Sequence, residues 1–173
     1  MQSTSRKVAY SATFTAVSAL AILASRFLPI VATALLVCLV CYFLSFIICG
    51  FGYGLITIAA SLLTAFFSGG FGTVFIFDLL LFAPYSIIAF FMRKLSYNGA
   101  KAVIRVAITV IFVNIVFAII YFALASYISL DFTVFSKKLG GYAVLAVVLS
   151  VVAIITDYLS YQASEYFIKM LKK

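Results

Sequence analysis

Long apolar runs, rather than any alternation of apolar and polar positions, dominate this chain. No charged residue stands between Arg26 and Asp78, a tract long enough for two membrane spans of about 20 apolar residues each. Dividing the whole chain at its charges, prolines and glycine clusters predicts six membrane-spanning helices, at roughly 8–25, 29–49, 53–67, 73–92, 103–128 and 141–163. Arg26 and Pro29 separate the first two, because a charge is costly at depth and proline cannot continue a helix. The clusters "GFGYG" and "SGGFG" are expected to end spans two and three as turns. That leaves span three short, with roughly 15 residues covering about 22 Å against a hydrocarbon core of about 30 Å.

Composition agrees with the pattern. The 173 residues are 67% hydrophobic and 9% charged, far from the roughly one quarter charged of soluble domains. The expectation is an all-α integral membrane protein, one transmembrane domain over residues 1–173. The apolar stretch after Arg6 and Lys7 is longer than a secretory signal core and no small-x-small cleavage site ends it, so the first helix is expected to be retained. Lysines and arginines orient the bundle, since they are kept on the cytoplasmic side. With both termini cytoplasmic, nine of them (Arg6, Lys7, Arg93, Lys94, Lys101, Arg105, Lys169, Lys172, Lys173) lie inside and three (Arg26, Lys137, Lys138) outside. The net charge of +8 is thus a signal of topology and of attraction to anionic lipid, and nucleic acid is not an expected partner.

Several chemistries are struck out. Without histidine, zinc or haem sites built on imidazole and Ser-His or Cys-His nucleophiles are absent. The four carboxylates, Asp78, Asp131, Asp157 and Glu165, are scattered with no acid/base spacing, so an enzyme is not expected, and neither is a cofactor or a metal. Cys38 and Cys41 form a C-x-x-C inside an apolar span, where cysteine behaves as a small hydrophobe. The glycine clusters lack the following lysine of a phosphate loop.

Three patterns hold candidate function. Ala9, Ala12, Ala16 and Ala19 recur at three, four and three residues, within about 80° of one face of span one. Such a strip either packs inside its own bundle or docks a separate membrane protein. Phe71, Phe75, Asp78, Phe82 and Tyr85, at four, three, four and three, line one face of span four with aromatic rings and one carboxylate. Aromatic walls with one polar anchor suit a flat heterocycle, neutral or cationic; the alternative for Asp78 is an ion pair with Arg26. Pro84 removes one hydrogen bond near Leu80 and can kink the helix there.

Asn114 and Tyr121 share a face of span five with Ala118 and Ala125, and Tyr142, Ala146, Ser150 and Ala153 share one of span six. Asn114 fits either a ligand contact or an ordinary interhelical hydrogen bond. Asp157 and Arg105 lie at matching depth on antiparallel spans, which predicts a structural ion pair. Glu165 and the last lysines read as a solvated amphipathic tail. Phe132 and Phe135 of the loop "SLDFTVFSKKLGG" either cover a ligand or rest on the bilayer interface.

The basic amino terminus running into span one, the A-x-x-x-A of Ala12 and Ala16, and the glycine-punctuated run from Gly50 to Lys94 together resemble the substrate-binding S component of energy-coupling factor (ECF) vitamin transporters. The resemblance implies a six-helix bundle in the bacterial cell membrane and a small-molecule micronutrient bound near the outer face. It also implies a transmembrane coupling subunit contacting the alanine motif, and two ATPases driving inward release. Phe75, Asp78, Phe82, Tyr85, Asn114 and Tyr121 would line the substrate site. The size and helix count are similar also to the rod-shape-determining MreD family, a non-transporting membrane scaffold. A self-contained channel or secondary transporter fits less well, as no internal repeat is visible.

Overall fold

The computed structural model describes residues 4–28, 31–95, 99–124 and 142–171. Among these every regular element is helical: α1 (Thr4–Phe27), α2 (Val31–Ile48), α3 (Phe51–Gly69), α4 (Thr73–Phe91), α5 (Ala100–Ile119) and α6 (Tyr142–Leu171). These six helices are long and apolar enough to cross a membrane, so the chain is a multi-pass membrane protein. The readings made for Pro29, Ala125, Asp131, Phe132, Phe135, Lys137, Lys138, Lys172 and Lys173 fall outside the described residues.

One boundary expectation is corrected. Span three is not short, because only Gly50 and Gly70 break the backbone, with φ of 103° and 58°. Gly52, Gly54 and Gly69 lie within α3. At 1.5 Å per residue its 19 residues reach about 28 Å. Glycine is admitted to membrane helices because water does not compete there for the backbone, and Gly54 has a packing use: the Phe46 ring occupies the space a Cβ at that position would need.

The chain divides into two compact units, Met1–Phe91 with Gln162–Lys173, and Met92–Tyr161. In the first, α1 and α3 run parallel and α2 runs antiparallel to both, as the pairs Ser11–Thr57, Ser18–Ser61, Cys38–Ser18 and Ser45–Thr57 require. The helices meet along hydroxyls. Ser11, Thr15, Ser18, Ile22 and Ser25, at four, three, four and three, form the inward face of α1, and all but half-buried Thr15 are buried. Ser18 and Ser61 approach to 2.6 Å, and Thr57 lies 3.2 Å from Ser11 and 2.9 Å from Ser45. Small polar residues are suited to this work in lipid, where no hydrophobic force draws helices together and close backbone approach and interhelical hydrogen bonds take its place. Around the seam, Ile22, Leu35, Cys38, Tyr42, Phe46, Ile58, Ala65, Val74 and Ala83 make the apolar core.

In the second unit α5 and α6 are antiparallel, with Arg105 paired to Asp157, Asn114 to Ser150, and Phe117 stacked on Tyr142 at 5.3 Å.

Candidate functional site

The aromatic and acidic stripe lies on α4, which is not a uniform helix. An α-helical turn, Thr73–Phe77, gives way to a π-helical stretch, Asp78–Phe82, before α-helix resumes at Ala83–Phe91. The Ala83 N–H reaches back to the Asp78 carbonyl, five residues away. Pro84 accounts for the position. Its ring would strike the carbonyl four residues earlier and it has no N–H to donate, and a wider turn relieves the clash. The sequence predicted a kink near Leu80; the structure answers the same constraint by widening the turn.

Asp78, the first residue of that wide turn, is fully buried. Its Oδ2 accepts a hydrogen bond from the Tyr42 hydroxyl at 2.7 Å, and Tyr42 on α2 is itself fully buried. The other carboxylate oxygen, Oδ1, has no hydrogen-bond partner among the described residues. The Asp78–Arg26 ion pair considered above does not form. Arg26 is exposed at the end of α1, and its guanidinium fills the space over Gly69 that any side chain there would occupy. The two glycines Gly69 and Gly72 thus leave a notch for an arginine.

The remaining members of the stripe are unevenly enclosed. Tyr85 is buried, Phe75 and Phe82 are half-buried against the core, and Phe71 is exposed. Phe66, Phe71 and Phe75 meet edge to face with centroids 5.2–5.7 Å apart, a favourable arrangement of ring quadrupoles. A shallow hollow lined by Cys49, Gly50, Phe51, Gly52, Tyr53 and Ile56 belongs to the opposite end of α3 from Gly69.

Asn114 and Tyr121 lie in the second unit, each with partners of its own. The Asn114 amide donates to Ser150 Oγ at 2.8 Å and to the Val110 carbonyl at 2.8 Å, the interhelical bond expected of a mid-span asparagine. Tyr121 packs edge to face on Tyr142 at 5.2 Å. The predicted Arg105–Asp157 pair is present and bidentate. Arg105 Nε and Nη2 donate to the two Asp157 oxygens at 2.6 and 2.8 Å, Nη1 donates to the Leu95 carbonyl at 3.1 Å, and the guanidinium carbon lies 4.9 Å from the Tyr161 ring centre.

On α1, Ala9, Ala12 and Ala16 are exposed and Ala19 is half-buried. The strip is therefore not the packed face of its own helix; the serine seam is. Cys38, Cys41 and Cys49 are free and buried, consistent with cysteine as a small hydrophobe. Sequence reasoning missed Tyr42, although a phenol in an otherwise apolar span must find an acceptor, and the charge-free tract ends at one, Asp78. No family model, curated protein or solved structure matches this chain.

Proposed function

We propose that the chain is the membrane-embedded substrate-binding subunit of a multi-component, ATP-driven importer of the ECF kind, in the bacterial cell membrane with both termini cytoplasmic. The observation that carries this reading is the exposure of Ala9, Ala12 and Ala16. A helix facing only lipid gains nothing from a smooth strip, whereas a helix that slides against a partner's backbone does. A transmembrane coupling subunit is the partner, and two ATPases supply the energy. A vitamin-like or heterocyclic micronutrient is taken from the outer side, with Asp78 as polar anchor and Phe75, Phe82 and Tyr85 as apolar walls.

Mild-detergent affinity purification of the tagged chain from its native membranes, beside an Ala12→Leu/Ala16→Leu variant, tests this. Co-purification of a membrane coupling subunit and two ATPases, lost in the variant, is the expected result. A second reading, a non-transporting scaffold of the MreD type, is favoured by the complete enclosure of Asp78 and Tyr42. It predicts recovery of cell-shape or cell-wall proteins and no ATPase.

A further inference from the structure

Lys7 extends the inward face of α1 by one turn. It precedes by four residues Ser11, whose hydroxyl donates to the Tyr53 carbonyl of α3 at 3.5 Å, and residues four apart share a helix face. The lysine is therefore set beside the turn that joins α2 to α3, and its ammonium is within electrostatic reach of the Cys49 thiol in that turn. Lys7 is half-buried, and among the described residues it forms no ion pair.

The same turn carries the shallow hollow at the start of α3. Its wall is hydrocarbon, with Phe51 and Ile56 both exposed. Gly52 helps to keep it open. Unlike Gly50 it has no positive φ, and unlike Gly54 it has no neighbour that a Cβ would strike. Neither backbone geometry nor packing among the described residues calls for glycine at this position, whereas a side chain there would take up part of the hollow that Gly52 lines. The positive end of α3 adds to the field of Lys7, since Gly50 offers no side chain to the first N–H groups of the helix.

We propose that this hollow holds one anionic phospholipid, its phosphate paired with Lys7 and an acyl chain laid along Phe51 and Ile56. A cation beside an exposed hydrocarbon wall matches an occupant that is anionic at one end and apolar at the other. A soluble anion would leave the wall unused. A zwitterionic lipid brings an ammonium of its own towards Lys7 and gains less from the charge. The proposal requires only that this end of the helices meet a membrane surface, so it holds for an importer subunit and a scaffold alike.

The chain has no tryptophan, so Ile56→Trp places a single indole reporter on the wall of the hollow. The full chain is reconstituted in vesicles of phosphatidylcholine and phosphatidylglycerol in which one lipid or the other carries brominated acyl chains. Quenching by each gives their relative affinity at the reporter. Phosphatidylglycerol is expected to be favoured about fivefold, the worth of one basic residue at an anionic surface, with no such preference at Phe67→Trp near the other end of α3. In the Ile56→Trp background Lys7→Gln is expected to abolish the preference and Lys7→Arg to keep it. Arg6→Gln, the same loss of charge 100° round the helix, should retain most of it, and Gly52→Leu should weaken quenching by filling the hollow. Equal quenching by the two lipids overturns the proposal. So does a preference that survives Lys7→Gln, or one that Arg6→Gln removes as fully, because either marks a diffuse attraction and not a site. Relief of quenching by glycerol phosphate in solution would assign the site to a soluble anion and overturn the lipid. Should Ile56→Trp not fold, Phe51→Trp, a ring for a ring, carries the same comparison. Co-purification of ATPases reports separately on the importer.

Discussion

Arg105 grips both oxygens of Asp157 from one edge of its guanidinium, at 2.6 and 2.8 Å, and both side chains are fully buried. Two antiparallel helices are thereby pinned at one level. The third nitrogen holds the Leu95 carbonyl, so the turn before α5 is tied to the same point. Removing one partner strands the other charge. Asp157→Asn or Arg105→Gln is expected to destabilise the protein by about 3–5 kcal/mol, whereas the double replacement Arg105→Met/Asp157→Leu recovers much of that loss. Unfolding of the three variants in a fixed detergent checks the order, and a double variant no better than the singles would contradict it.

The Tyr42 hydroxyl is the single hydrogen-bond partner of Asp78 among the described residues. Tyr42→Phe is expected to cost about 1–3 kcal/mol, because the ring still fills its site while a second buried carboxylate oxygen loses its donor. Asp78→Asn in the Tyr42→Phe background should restore part of the loss by removing the charge. A double-mutant cycle on thermal or denaturant unfolding measures that coupling.

The spans were legible because membrane insertion imposes a strong one-dimensional signal, charge-free runs of about 20 residues, and the limits of α2 and α4 follow it closely. Arg105 and Asp157 were legible for the same reason, as opposite charges at matching depth on adjoining antiparallel spans. Side-chain roles within the apolar runs were less so. On α1 the alanines and the serines both recur at helical spacing, and nothing in spacing says which strip turns inward; the complementary hydroxyls of Thr57 and Ser61 decide it. The length of α3 was misjudged because glycine marks turns in water and is a tolerated packing residue in a membrane helix.

Gly54 and Gly69 look alike in sequence and differ in what surrounds them. A Cβ at Gly54 would overlap the ring of Phe46, which is buried and packed 5.4–5.5 Å from the rings of Phe90 and Phe51. A Cβ at Gly69 would meet only the end of the Arg26 side chain, which is exposed and can swing away. Gly54→Ala is therefore expected to cost about 1–3 kcal/mol through overpacking, and Gly69→Ala to fall within about 0.5 kcal/mol of the wild type. Parallel melts of the two variants check this, and equal losses would contradict it.

The two strips of α1 make the last contrast. Ala12 and Ala16 are exposed, whereas Ser11 and Ser18 face hydroxyls of α3 at 3.2 and 2.6 Å. Ala12→Leu/Ala16→Leu adds apolar volume where nothing among the described residues opposes it, so Tm should stay close to that of the wild type. Ser11→Leu/Ser18→Leu forces two branched side chains into a seam closed by hydrogen bonds and strands the Thr57 and Ser61 hydroxyls, at a cost of about 1–3 kcal/mol for each overpacked position. Replacing the facing pair together, Ser18→Ala/Ser61→Ala, removes donor and acceptor at once and is expected to cost about 1 kcal/mol or less, in line with the modest worth of interhelical hydrogen bonds in membranes. Thermal unfolding of the three double variants ranks them. If the alanine variant lost as much stability as the serine-to-leucine one, the alanine strip would be a packing face of the fold and not a free surface for a partner.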